Sequence, residues 1–97
     1  MNDLTVIDLC NSISLKQGLI VLNLSNNKIT DKSCNSIQNM LLKNYSLKEF
    51  YIRWNKITQI GGQKVINGVL TREVIAVLDL SWNRLNRCPK LHKKQVN

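Results

Sequence analysis

A short, curved α/β solenoid, with parallel strands on its concave face and helices on its convex face, is the fold class predicted by three features of this 97-residue chain. First, one phrase occurs three times at an interval of 28 residues: LIVLNLSNNKITD from Leu19, LKEFYIRWNKITQ from Leu47 and IAVLDLSWNRLNR from Ile75. Second, apolar residues alternate at period two inside each phrase. Third, the period between phrases changes to that of a helix. A fixed period in the twenties marks a repeat architecture, in which each unit buries its apolar face only by stacking on its neighbours.

The elements follow in order from that register. Carried backwards, it puts Asp3 in the slot of Asp31, Val6 in that of Cys34, Leu9 in that of Ile37 and Ile13 in that of Leu41. A helix is therefore expected over residues 3–15. The first strand is expected over 21–24, with Leu22 and Leu24 inward and Val21, Asn23 and Ser25 outward. Asp31 is a suitable N-cap for a helix over 32–43, whose inward side carries Cys34, Ile37, Met40 and Leu41. The second strand, 49–52, points Phe50 and Ile52 inward, and Glu49, Tyr51 and Arg53 outward. A helix over 60–70 follows, with Val65, Ile66 and Val69 inward. The third strand, 77–80, points Leu78 and Leu80 inward, and Val77, Asp79 and Ser81 outward. Strands joined by single helices should pair in parallel.

Beyond that point the register fails. Pro89 falls where the next helix should begin, and residues 90–97 hold only Leu91 and Val96 as apolar side chains. Residues 87–97 read as a basic tail. The repeat domain is thus 1–86, made of a partial repeat 1–18, repeats 19–46 and 47–74, and a partial repeat 75–86. With no final helix, Ile75, Leu78 and Leu80 should lack cover, and the first strand should have an open edge. Open apolar edges invite pairing. The chain is therefore expected to be part of a longer solenoid, to self-associate, or to be held in an assembly.

Composition sets the class. About 43% apolar residues and 21% charged residues suit an ordinary globular domain. No apolar run approaches the roughly 18 residues of a membrane span, so no membrane partner is expected. No basic region precedes an apolar stretch at the N-terminus, and the odd set Cys10, Cys34 and Cys88 does not suggest a disulfide framework. A cytoplasmic chain is expected, with cytoskeletal or ciliary variants of that location. The net charge of +8 favours an acidic partner.

The repeats resemble leucine-rich repeats: each fits L-x-x-L-x-L-x-x-N-x-L, with Asn27, Asn55 and Asn83 in one slot. The 28-residue period, the helical second half and the Asn-Lys-Ile-Thr-Asp and Asn-Tyr-Ser-Leu junctions look like the ribonuclease-inhibitor-like subfamily. The resemblance covers residues 3–87. It implies that Asn27, Asn55 and Asn83 form an internal ladder between turns, which suits an amide that both donates and accepts. It also implies small residues at helix starts, where this chain has Ser33-Cys34 and Gly61-Gly62.

Two groups of residues are candidate contacts. Glu49, Tyr51, Arg53, Asp79 and Ser81 share the concave face, and Trp54 and Trp82 occupy matching slots at the strand ends. Tyr, Trp and Arg are enriched in binding hot spots; the alternative is that the Trp pair merely covers the ladder. Lys28, Lys56 and Arg84 follow the ladder Asn in each copy and form a basic row, extended by Arg87, Lys90, Lys93 and Lys94. The row reads as a docking edge for an acidic partner or, more blandly, as a solvated rim. Nucleic acid is disfavoured, because no recognition motif accompanies the charge.

Catalysis and cofactors find little support. The single His, His92, lies in the expected tail, so no rigid base exists for a Ser or Cys nucleophile. Cys88 and His92 are too few to hold zinc. Gly61-Gly62-Gln63-Lys64 lacks phosphate-loop spacing, and Cys34 reads as a small core side chain. The expected function is a non-catalytic protein–protein interaction module or scaffold, with no metal and no cofactor. The alternatives are a regulator such as a small-GTPase activator acting through Arg53 or Arg84, or a structural subunit of a cytoskeletal or ciliary assembly.

Overall fold

The computed structural model describes residues 1–71 and 75–84, and the backbone of 90–92. Helix α1 (Asp3–Ser14) leads to β1 (Val21–Asn23). A 3-10 turn (Asp31–Ser33) runs into α2 (Cys34–Lys43), followed by β2 (Glu49–Tyr51), α3 (Gln59–Thr71), β3 (Val77–Asp79) and β4 (Lys90–His92). The sheet order is β1-β2-β3-β4. Val21 pairs with Glu49 and Glu49 with Val77, both in parallel, so the register of the sheet is the 28-residue register of the sequence.

The fourth strand departs from the expected tail. Lys90–His92 pairs antiparallel with β3, with His92 opposite Val77 and Lys90 opposite Asp79. A parallel sheet ending at β3 would leave a row of unpaired backbone groups, and a returning strand satisfies them. Residues 87–89 and 93–97 of the expected tail, with Arg87, Cys88, Lys93 and Lys94, lie outside the described residues.

The core lies between the inward face of the sheet and the helices. Leu24, Phe50, Ile52, Leu78 and Leu80 come from the strand segments; Val6, Cys10, Ile13, Ile37, Met40, Leu41, Val65 and Val69 come from the helices. Leu22, at the edge strand, is only partly buried. Ile75, Leu78 and Leu80 are buried as well, which corrects the expectation that they lack cover.

Small residues at the helix starts have a steric cause. A Cβ on Gly61 would overlap Asp31 Oδ1 and come within 2.8 Å of Asp31 Cγ and Cys34 Sγ. The close approach of α3 to α2 therefore requires glycine there. Gly68 serves the same packing near Leu41, whose Cβ would lie 3.2 Å from an added Cβ. The cap of the second helical segment also differs from expectation. Thr30, not Asp31, is the N-cap, and its hydroxyl accepts from the Lys32 N–H at 3.2 Å. Asp31 is instead drawn to the next repeat, where its carboxylate accepts from the Thr58 N–H at 2.8 Å and from the Thr58 hydroxyl.

Candidate functional site

The strand-to-helix turns stack in step along one edge of the solenoid. Lys56 N–H donates to Ile29 O and Arg84 N–H to Ile57 O, each at 2.8 Å; Lys28 N–H donates to Met1 O at 3.0 Å. Met1 thus occupies the slot of Ile29 one register earlier. Three consecutive positions of each turn then have different surroundings.

The middle position points inward. The Asn55 side chain is 7% exposed. Its Oδ1 accepts from the N–H groups of Asn27 (3.2 Å) and Ile29 (3.1 Å), and its Nδ2 donates to Leu24 O (3.0 Å) in the neighbouring turn. Asn83 repeats this one turn on, accepting from Ile57 N–H and donating to Ile52 O. Asn27 donates to Leu24 O and accepts from the terminal ammonium of Met1 at 2.6 Å. Each amide therefore pairs backbone groups that the turn would otherwise bury unsatisfied.

The preceding position is Asn26, Trp54 or Trp82. All have left-handed backbones, with φ of 63°, 54° and 61°. The turn needs this conformation to aim the following Asn inward. Asn adopts it readily, whereas for a bulky side chain it is strained. The two tryptophans are nevertheless 53% and 61% exposed, and they stack on each other with centroids 4.8 Å apart and planes at 8°. The position after the ladder Asn is Lys28, Lys56 or Arg84, all exposed. The isolated bridges Thr30–Lys56 and Thr58–Arg84 hold successive members of that row one strand spacing apart. The outer side of these turns is thus an aromatic stack running beside a row of cations.

The concave face adjoins this edge. The Tyr51 hydroxyl donates to Glu49, a bond that pushes the Tyr51 pKa up. Arg53 Nε lies 3.7 Å from Asp79 Oδ2. Asp79 is 4% exposed and also accepts from the Ser81 N–H and hydroxyl. It therefore anchors Arg53 and Ser81 on the concave face and has little free surface of its own. A depression of about 320 Å³ is lined by Asn23, Ser25, Tyr51, Arg53 and Trp54. A second, of about 520 Å³, is lined by Met1, Asn2, Thr5, Asn26, Asn27 and Lys28.

Two polar devices were missed by the sequence reading. Asn44, buried at the end of α2, donates to Ile13 O (2.9 Å) and Lys16 O (2.8 Å) and accepts from Leu47 N–H (3.0 Å). Asp3 accepts from Thr30 N–H (2.9 Å), the Thr30 hydroxyl (2.6 Å) and the Ser33 hydroxyl. Burial alone would raise the Asp3 pKa, but the Ser33 and Thr30 hydrogen bonds outweigh it and hold the carboxyl below its usual range. The available signal was that Asp3 and Asp31, like Thr30 and Thr58, are 28 residues apart.

The described thiols are poor nucleophiles. Burial pushes Cys10 up to about 11; burial, with the nearby Asp31 carboxylate, pushes Cys34 up to about 12. Neither is a thiolate at neutral pH. Among the described residues no cluster of His, Cys, Asp and Glu is placed to hold a metal ion, and no helix is long and apolar enough to cross a membrane.

Strands, helices and stacked turns together make this fold a short leucine-rich-repeat solenoid. The family model described as Leucine Rich Repeat matches residues 18–40. No curated protein matches the chain. Among solved structures, the chain is similar to one titled leiomodin-1 actin-binding site 2 (ABS2), with a TM-score of 0.79 at 15% identity over 92% of this chain. It spans 50% of that chain's length. At such identity the likeness is one of fold.

Proposed function

We propose that the chain is a non-catalytic protein-interaction module that binds through the outer edge of its strand-to-helix turns. The observation that carries this is the Trp54–Trp82 stack, exposed and set on left-handed backbones. The first repeat meets the same backbone requirement with Asn26, so the turn does not need a large ring. Exposed, pre-stacked aromatics beside cations are what a protein contact surface uses. Lys28, Lys56 and Arg84 supply the cations, which suit an acidic partner. Tyr51 and Arg53 extend the surface onto the concave face. The 28-residue period and helical returns support a ribonuclease-inhibitor-like assignment within the repeat class.

A second reading, a ligand of a cytoskeletal assembly, is favoured by the likeness to a chain titled as an actin-binding site. The small-GTPase activator reading is the weaker: Arg53, one of its two candidate arginines, lies against Asp79.

Capture of partners from native extract tests the main reading. The wild type is compared with Trp54→Ala/Trp82→Ala, with Lys28→Glu/Lys56→Glu/Arg84→Glu, and with the charge-matched control Lys16→Glu/Lys43→Glu/Lys64→Glu. Loss of a partner in the first two variants and its retention in the control is the expected result. Equal capture by all four proteins would overturn the edge as the binding surface. Co-sedimentation with filamentous actin, done on the same four proteins, tests the second reading.

A further inference from the structure

The aromatic stack is unfinished on one side. Trp82 covers one face of Trp54. The depression beside Trp54 is lined by Asn23 and Ser25 of the preceding repeat and by Tyr51 and Arg53, and not by Trp82. It therefore lies on the side of Trp54 turned toward that repeat, where Trp54 meets the concave face, while Asn26 lines the other depression. In the preceding repeat the equivalent slot is held by Asn26, which has the same left-handed backbone and no ring. The turns stack in step, so a ring above Asn26 would continue the series at the spacing already set by Trp54 and Trp82.

Charge describes what accompanies that ring. Four of the six acidic side chains, Asp3, Asp31, Glu49 and Asp79, have partners within the molecule; Asp8, on α1, is exposed, and Glu73 lies outside the described residues. Lys28 and Lys56, in contrast, are exposed in the row beside the stack, two residues after Asn26 and Trp54 respectively. The second depression places Lys28 next to Asn26. A nucleotide base would also stack on an indole face. However, a phosphate chain running onto the concave face from Trp54 would pass the partly exposed Glu49 carboxylate. A peptide can instead place its carboxylates selectively on Lys28 and Lys56.

Resting on the interaction-module reading, we propose that the slot above Asn26 receives an aromatic side chain from an acidic peptide segment of the partner. That ring becomes a third layer on the Trp54–Trp82 stack, and neighbouring carboxylates pair with Lys28 and Lys56. Offset stacking adds to the affinity beyond the area it buries, while the flanking charges set partner choice and salt dependence.

The chain has two tryptophans, so an NMR spectrum of the labelled full chain contains two indole N–H signals, assignable with Trp54→Phe and Trp82→Phe. The probes are the capped tripeptides Asp-Phe-Asp, Asp-Ala-Asp and Lys-Phe-Lys, and an oligothymidylate. Asp-Phe-Asp is expected to shift the Trp54 signal more than that of Trp82, and salt should weaken the effect. Asn26→Trp fills the slot with the chain's own ring, at a backbone that already accepts Trp in two repeats. It should weaken Asp-Phe-Asp binding about tenfold, equivalent to one stacked contact. The proposal is overturned if Asp-Ala-Asp or Lys-Phe-Lys acts equally well, if oligothymidylate binds tighter, or if no peptide moves Trp54 at millimolar concentration. Failure here, with the partner still lost from the Trp54/Trp82 double variant in extract, would remove the slot and leave the binding edge standing.

Discussion

The inner and outer positions of the same turns obey different rules. The inner position is Asn in every repeat, and each amide ties one turn to the next. The outer positions vary between Asn26, Trp54 and Trp82, and between Lys28, Lys56 and Arg84, although the first of them keeps a left-handed φ of 54–63° in all three repeats. A residue is uniform where stacking leaves buried N–H and C=O groups to be paired. It is free to vary where only solvent, or a partner, is met. The cost of putting Trp in a left-handed slot is therefore best explained by what the outer surface does.

Substitutions inside the stack should give the largest losses of stability. Asn44→Ala leaves the Ile13 and Lys16 carbonyls and the Leu47 N–H without their partner, and it should cost about 3 kcal/mol in a urea titration. Asn55→Ala should cost about 2 kcal/mol by the same measurement. A wild-type midpoint for Asn55→Ala would erase the distinction between inner and outer positions. Gly61→Ala must displace Asp31 and Cys34, so its expected loss is about 1–2 kcal/mol.

Acid should reveal a smaller inner effect. The Asp3 carboxyl has a folded-state pKa below its ordinary 3.8. Its contribution is therefore complete above the unfolded value and is lost as pH falls through the folded one. Denaturation midpoints taken from about pH 6 down to about pH 2 should fall less steeply for Asp3→Asn than for the wild type. Parallel profiles would mean that Asp3 is not the group responsible. The outer cations come last. Reversing Lys28, Lys56 and Arg84 to Glu should change stability by no more than about 0.5 kcal/mol, while slowing association with an acidic partner and reducing its salt dependence.

Much of this was legible in the sequence because the repeat fixes register. The three parallel strands, the three helices and the inward residues Phe50, Ile52, Leu78 and Leu80 all follow from a 28-residue offset. What broke the offset was not legible. Strand β4 has one apolar residue, Leu91, and no counterpart in another repeat, and it forms because β3 presents an edge. The burial of Asp79 on the concave face, where it meets Arg53 and Ser81, is a matter of contacts that alternation cannot foresee. The slots of Trp54 and Trp82 were readable, and so was their adjacency; the left-handed backbone beneath them was not, since the first repeat shows an unremarkable Asn there. Asn44 stayed hidden because its slot in the first repeat is Lys16.

If the tryptophan stack serves binding and not folding, Trp54→Asn/Trp82→Asn should fold as stably as the wild type. Relief of left-handed strain is worth about 1 kcal/mol or more at each site. The lost stack is worth about 0.5–1.5 kcal/mol for the pair beyond the area it buries, and with the rings 53% and 61% exposed the opposing terms come close to cancelling. The expected urea midpoint corresponds to a stability within about 1 kcal/mol of the wild type, with an unchanged slope. A loss of about 2 kcal/mol or more would contradict it and make the stack a structural cover for the ladder.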